Sequence, residues 1–303
     1  MIYTVTLNPS IDYVVFTQNF KVKHLNRAEA TYKFAGGKGI NVSRVLRTLD
    51  IPSTALGFAG GFPGDFIRKT LKDQNIKEQF IEVGEDTRIN IKLKAEAETE
   101  INAPGPTVTE AQLEHLLQQM KETTKEDIVI IAGSVPRNLS HDVYQRIARV
   151  LSSTGANFVV DAEKGLMEPV LRYQPLFIKP NKEELEMIFG TQIKTQSQVI
   201  EYGRKLLERG AQSAIISLGG EGAIYIDERQ ILKAEVPTGT VVNTVGAGDS
   251  TVAGMVAGIV NGFSIEESFK QAVAAGTATA FSEDLANKDN ITEISKQIRV
   301  KEL

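Results

Sequence analysis

Apolar residues along this chain fall into short, nearly continuous runs, separated by longer stretches in which they recur every three or four positions. The runs at 2–7 (IYTVTL), 53–58 (STALGF), 127–132 (DIVIIA), 157–161 (NFVVD), 176–179 (LFIK) and 213–218 (SAIISL) read as strands. Their continuity predicts parallel strands covered on both faces. The stretches near 38–49, 64–74, 109–121, 140–152, 181–189 and 195–209 carry the helical period. This alternation predicts an α/β fold, with a central, mostly parallel sheet flanked by helices and joined by right-handed crossovers.

Two insertions break the rhythm. Residues 11–20 and 27–34 are strand-like with no helix between them, and 88–102 (RINIKLKAEAETEIN) alternates apolar and polar positions as a hairpin with one wet face does. The expected organisation is an α/β core of 1–10, 35–86 and 107–303 with a small antiparallel β lid of 11–34 and 87–106. An edge extension of the main sheet is the alternative. Near the C-terminus, 248–261 and 265–281 read as two helices whose Ala and Gly content favours close packing.

Composition narrows the chemistry. The 303 residues contain no cysteine, which excludes disulfides, thiolate metal sites and cysteine nucleophiles and is compatible with the cytoplasm, the expected location. Lys and Arg number 34 against 38 Asp and Glu, a net charge of −4, a poor balance for binding nucleic acid. The three histidines, His24, His115 and His141, lack metal-ligand spacing, and no G-x-S-x-G occurs. The opening MIYTVTLNPSID is not built like a signal peptide, and no apolar stretch is long enough for a membrane span, so no membrane partner is expected.

The sharpest local signal is Val245-Gly246-Ala247-Gly248-Asp249-Ser250-Thr251, which follows a strand-like TVVNT and opens a helix. Small residues there leave backbone N–H groups aimed at one point, with the helix dipole behind them, a nest suited to a phosphoryl group. Asp249 also fits as a helix N-cap. A second glycine loop, Ala35-Gly36-Gly37-Lys38-Gly39-Ile40-Asn41, again precedes a helix. It permits close backbone approach to a ligand and supplies a point charge in Lys38, although a simple tight turn fits the same residues. It is not a Walker A loop, and no dinucleotide-binding G-x-G-x-x-G follows the first strand.

Together, GGKGIN at 36–41, KPNKEE at 179–184 and NTVGAGDST at 243–251 resemble the PfkB carbohydrate kinase family of ribokinase-like fold, in order and over almost the whole chain. TLNPSID, TRIN at 87–90, AGSVP at 132–136 and SLGGEGA at 217–223 also fit. The similarity is greatest to the hexose-phosphate branch. It implies an ATP-dependent kinase that phosphorylates fructose 1-phosphate at its 6-hydroxyl. Tagatose 6-phosphate is the rival substrate, and a non-catalytic sugar-phosphate sensor is the rival from another class.

The resemblance assigns Asp249 as general base and the N–H groups of Gly246, Ala247, Gly248 and Asp249 as an anion hole, with Lys38 beside them. For the sugar phosphate it implies Asp12, Gly36, Gly37, Asn41, Asn90 and Ser134, with Arg27, Lys38 and Arg88 as phosphate clamps. For ATP it implies Lys179, Asn181, Ser217, Leu218, Gly219, Gly220, Glu221, Gly222, Thr244, Gly248, Val273, Gly276 and Thr277. Glu184 would act on Mg²⁺ through water, and parts of the family also hold a monovalent cation. Core packing explains Thr244, Val273, Gly276 and Thr277 equally well, as a turn does Ser134 or Asp12, and a helix start with a solvated charged face KPNKEE. In relatives the lids of two chains pair, which implies a homodimer through the lid.

Overall fold

Residues that alternate or run apolar along the chain become strands, and the glycine-led segments between them become helix starts. The computed structural model describes residues 1–162 and 164–303. In chain order its elements are β1 (Ile2–Thr6), β2 (Ser10–Phe16), β3 (Ala30–Gly36), α1 (Lys38–Thr48), β4 (Thr54–Ala59), α2 (Gly61–Asp73), β5 (Lys77–Glu82), β6 (Arg88–Lys94), β7 (Glu98–Ile101), α3 (Glu110–Lys121) and β8 (Ile128–Ala132). Then come α4 (Val143–Thr154), β9 (Asn157–Asp161), α5 (Lys164–Met167), β10 (Phe177–Ile178), α6 (Lys182–Phe189), α7 (Gln196–Glu208), β11 (Ser213–Ser217), β12 (Ala223–Asp227), β13 (Ile231–Glu235), α8 (Ala247–Val260), α9 (Ile265–Ala280), α10 (Lys288–Gln297) and β14 (Arg299–Glu302).

Among the described residues, ten strands form one sheet in the order β14-β13-β12-β11-β10-β9-β8-β1-β4-β5. From β11 to β5 the pairs are parallel, and β12, β13 and β14 add an antiparallel edge. The central strands are sealed on both faces, as their apolar runs require. One face packs on α3, α4, α6 and α7 through Leu113, Leu116, Ile147, Leu151, Leu185 and Leu206. The other packs on α1, α8, α9 and α10 through Val42, Val45, Val252, Met255, Phe269 and Ile291.

The two insertions form a separate four-stranded sheet, β3-β2-β6-β7, rather than an extension of the main one. Its outer pairs, β2–β3 and β6–β7, are antiparallel, while the central pair β2–β6 runs parallel with Asp12 opposite Asn90. The parallel pair follows from the connections. β2 continues β1 through residues 7–9 and β6 continues β5 through residues 83–87, so both leave the main sheet from the same edge in the same direction.

One expected strand is absent. TVVNT, residues 240–244, is irregular, and Val241 and Val242 are exposed. The N–H groups of Val242 and Asn243 donate to the Ala280 carbonyl at the end of α9, at 2.9 and 3.2 Å, so this β-branched run has no neighbouring strand to join. The segment instead delivers the chain to the start of α8.

Helices α8 and α9 pack closely because small residues line their contact. A Cβ at Gly254 would stand 2.7 Å from the Ala272 Cα and 2.8 Å from the Gln271 carbonyl oxygen, both backbone atoms. Gly254→Ala therefore overpacks the pair and is expected to cost about 1–3 kcal/mol. Urea denaturation checks this, and an unchanged midpoint would contradict the close approach.

Candidate active site

Parallel sheets present their ligand sites at the carboxyl ends of their strands. Here those ends, with the starts of α1 and α8 and the inner face of the small sheet, enclose a cleft of about 640 Å³. Asn8 follows β1, Gly133 and Ser134 follow β8, Asp161 ends β9, Lys179 and Asn181 follow β10, and Ser217 ends β11. Asp12, Arg88, Asn90, Lys92, Glu100 and Asn102 reach it from the small sheet.

The α8 N-terminus forms the floor. Gly246 is its N-cap, in the left-handed conformation at φ 80°, where any side chain is strained. Asp249 is not the cap. It sits in the first turn, 5% exposed, and its Oδ2 accepts a 2.8 Å hydrogen bond from Asn41 Nδ2 of the GGKG segment. Burial, and after it the like charge of Asp161, pushes the Asp249 carboxyl up to about 6 against the opposing pull of Lys38, Asn41 and Lys179. The N–H groups at a helix start have no intrahelical acceptor. That of Ala247 donates to the Thr244 carbonyl at 3.3 Å, so within the expected anion hole it is already engaged.

The GGKG loop brings its expected residues together. A Cβ at Gly36 would stand 2.6 Å from the Asp12 carboxylate, so only glycine lets the loop pass that close to it. Gly37 takes φ 118° as the N-cap of α1, and Lys38 is the first helical residue. Lys38 Nζ lies 3.3 Å from Asp161 Oδ1. Burial works against its charge, but Asp161, Asp249 and Glu184 outweigh burial and hold the ammonium above its ordinary range.

On the small sheet, Asp12 Oδ1 accepts from Ser10 Oγ at 2.8 Å and from Asn90 Nδ2 at 3.1 Å. Arg88 donates to the carbonyls of Ala103 and Asn8 at 3.1 and 3.0 Å and to Ser134 Oγ at 3.3 Å. Burial lowers its proton affinity, with Asp12 opposing. Arg27 is exposed in the 17–29 loop at the tip of the small sheet and lines neither this cleft nor the cavity beside it.

At the start of α6, KPNKEE makes a capping box. Asn181 Oδ1 accepts from the Glu184 N–H at 2.7 Å, and Glu184 Oε2 accepts from the Asn181 N–H at 2.8 Å. Both side chains also line the cleft, as do Ser217 and Thr244. The loop from Leu218 through Gly219, Gly220 and Glu221 to Gly222 forms a tight turn beyond Ser217, closed by a 2.8 Å bond from the Leu218 N–H to the Gly222 carbonyl. Val273 and Gly276 are buried on α9, and a Cβ at Gly276 would stand 2.3 Å from Thr251 Oγ1 of α8. Thr277 belongs to the same helix and does not line the cleft.

No group of three or more His, Asp or Glu side chains gathers as a metal cage among the described residues. The site fits an ion that takes most of its ligands from phosphates and water. Glu184 is suited to that, since its capping box engages only Oε2.

Several residues here had no sequence signal of their own. Asp161, fully buried, is 3.4 Å from Lys179 Nζ as well as 3.3 Å from Lys38. Lys92, also buried, pairs with Glu100 at 2.7 Å in the wall of the cleft. Arg44 of α1 pairs through both terminal nitrogens with Asp284, tying α1 to the loop that packs Leu285 against Gly246. The end of a buried parallel strand was the one available cue for Asp161.

Comparison with known proteins matches a model described as pfkB family carbohydrate kinase to residues 5–292. The chain is 44% identical over 303 residues to a 1-phosphofructokinase of Bacillus subtilis, covering 100% of both. It is 35% identical over 313 residues to a tagatose-6-phosphate kinase of Staphylococcus epidermidis, again covering 100% of both. A crystal structure of a candidate phosphofructokinase from Staphylococcus aureus superposes with TM-score 0.91 at 65% identity, covering 100% of this chain and 99% of that one.

With a native pKa of about 6, Asp249 binds more protons folded than unfolded between its ordinary value and 6, so its contribution to stability falls as pH rises through that window. Asp249→Asn removes the buried charge. It should raise the melting temperature by roughly 2–4 °C at pH 8 and by much less at pH 5, where the native carboxyl is already neutral. Calorimetry at the two pH values checks this, and a gain of equal size at both would contradict the raised pKa.

Proposed function

The chain belongs to the pfkB family of carbohydrate kinases, and on that premise we propose that it transfers the γ-phosphoryl group of ATP to the 6-hydroxyl of fructose 1-phosphate, giving fructose 1,6-bisphosphate and ADP. One observation carries the reading. A buried carboxylate with a pKa of about 6, Asp249, stands in the first turn of α8 and is held there by Asn41 of the glycine loop from the sugar side.

Such a group accepts the hydroxyl proton as the bond to phosphorus forms, help typically worth about 10²–10⁴-fold. The N–H groups of Gly246, Gly248 and Asp249 and the α8 dipole stabilise the equatorial oxygens of the loose transition state. Lys38 adds its charge from the other side. Asp12, braced by Ser10 and Asn90, holds sugar hydroxyls. Arg88 with Ser134 takes the phosphate already on the sugar, because a guanidinium binds phosphate by paired N–H groups. Lys179, Asn181 and Ser217, with the 218–222 turn at the rim, take the nucleotide. Glu184 would hold magnesium through water, and the ion would supply screening of the nucleotide's phosphate charge.

We take residues 11–34 and 87–106 as a lid over this cleft. Beside the cleft, Val14, Phe16, Tyr32 and Phe34 on its inner face and Val242, Val245 and Leu285 opposite line a further cavity of about 480 Å³. A second copy of the lid is the occupant we propose, and it gives the exposed Val22, Leu25 and Tyr32 a partner. Tyr32→Glu should then halve the molar mass measured by light scattering. A mass unchanged from wild type would remove the lid from the interface.

An ADP-release assay with Mg-ATP and fructose 1-phosphate, tagatose 6-phosphate or fructose 6-phosphate tests the substrate. Preference for fructose 1-phosphate is expected, with Asp249→Asn lowering kcat about 10³-fold. In the wild type, kcat/KM should fall as pH drops through about 6. Preference for tagatose 6-phosphate, the substrate of the Staphylococcus epidermidis relative, would overturn the assigned sugar and keep the chemistry. Tight binding without turnover would leave a sensor.

A further inference from the structure

Asp161 is the most deeply placed ionisable group of the cleft, 1% exposed at the end of β9. Its Oδ1 meets two ammonium groups from different parts of the chain, Lys38 at 3.3 Å and Lys179 at 3.4 Å. Its Oδ2 is buried without a hydrogen-bond partner among the described residues. Lys38 opens α1, while Lys179 follows β10. Lys179 Nζ lies 3.0 Å from where a Cβ on Gly248 would stand, so this lysine lies across the α8 N-terminus. One carboxylate oxygen thus holds two ammonium groups beside the start of α8.

Asp161, Lys179 and Asp249 are buried and Lys38 is partly exposed, and a buried charge is costly unless a partner of opposite sign is held beside it. Two ammonium groups against Asp161 leave one positive charge, and ionised Asp249 brings the set to neutrality. We propose that Asp161 is a positioning residue for the phosphoryl transfer described above: it fixes Lys38 and Lys179 as a pair beside the α8 N-terminus. Asp161 reaches the reacting atoms through these neighbours. The inference rests on the kinase reading for its catalytic consequence, while the pairing of one carboxylate with two lysines stands on the distances.

The groups facing Asp249 are Asp161 from β9, Lys38 from α1, Lys179 after β10, Glu184 from α6, and Asp12, Arg88, Lys92 and Glu100 from the small sheet. Of these, Asp161 raises its proton affinity, and Lys38 and Lys179 lower it. Removing Asp161 and removing Lys38 must therefore move Asp249 in opposite directions, which a merely structural loss would not do.

The experiment compares wild type, Asp161→Asn, Lys38→Met and Lys179→Met, each with and without Asp249→Asn. Melting curves across pH locate the point at which Asp249→Asn stops stabilising, which reports the Asp249 proton without any turnover. That point should fall by about 0.5–1 pH unit in Asp161→Asn and rise by a similar amount in each lysine variant. The acid limb of kcat/KM should shift in the same directions relative to wild type. With fructose 1-phosphate and Mg-ATP, Asp161→Asn should lower kcat about 10–100-fold, and Asp161→Glu should keep the wild-type limb while kcat stays low.

A limb and melting point unmoved in Asp161→Asn, or moved in the same direction as in Lys38→Met, would overturn the proposal. So would activity restored to Asp161→Asn by excess magnesium, which would make the carboxylate a metal holder. If Asp161→Asn fails to fold, the lysine variants decide, since an unmoved Asp249 in both contradicts the set. Opposite shifts in melting without sugar-phosphate turnover by the wild type would sink the kinase reading and leave the electrostatic role intact.

Discussion

The constraint on which the site depends is the gathering of four charges, three buried and Lys38 partly exposed, at the carboxyl edge of one parallel sheet. Asp161, Asp249, Lys38 and Lys179 come from β9, α8, α1 and the residue after β10. None is more than partly exposed, and their net charge is zero when all are ionised. In a medium of low dielectric such a set is tolerable only if the partners are held at close to contact distance. Much of the surrounding architecture serves that end. The flat ends of β8, β9 and β10 place Asp161 and Lys179 side by side, glycine at 248 lets Lys179 cross the helix start, and Gly37 turns the chain so that Lys38 opens α1 toward Asp161.

The same constraint explains how rigid scaffold and small sheet divide the work. The phosphoryl-transfer groups lie on the main sheet and on α1 and α8, which are packed on both sides of Val252, Val256 and Phe269. Close contact of α8 with α9 fixes the direction of the α8 N-terminus, and therefore of the N–H groups that a phosphate would meet. In the proposed reading, sugar recognition falls to β2 and β6, where Asp12 and Asn90 face each other in register. These strands extend directly from β1 and β5, while β3 runs through Gly37 into Lys38 and so ties the small sheet to the charged cluster.

What was legible in the sequence was what lies close along the chain. The G-A-G-D run at the start of α8, the GGKG loop before α1 and the N-x-x-E box of α6 are each local arrangements, and the structure brings all three to one cleft. The central strands were legible because burial on both faces leaves an unbroken apolar run. Asp161 was not, since its partner Lys38 is 123 positions away and a lone Asp at a strand end carries no signal of its own. The Arg44–Asp284 pair, 240 positions apart, escaped for the same reason. TVVNT misled because β propensity needs a neighbouring strand to become structure. Val273 and Gly276 have the small, apolar character that suits both a base pocket and a helix–helix seam, so residue type alone does not separate the two.

The account makes this cleft a device for moving one phosphoryl group onto one hydroxyl, and the identity of the product tests that most directly. Phosphorus NMR of a mixture of the protein, Mg-ATP and fructose 1-phosphate should show the 1-phosphate resonance retained and a second phosphomonoester appearing on C6, in step with ADP. Release of inorganic phosphate with the sugar unchanged, or no change in either substrate, would contradict it.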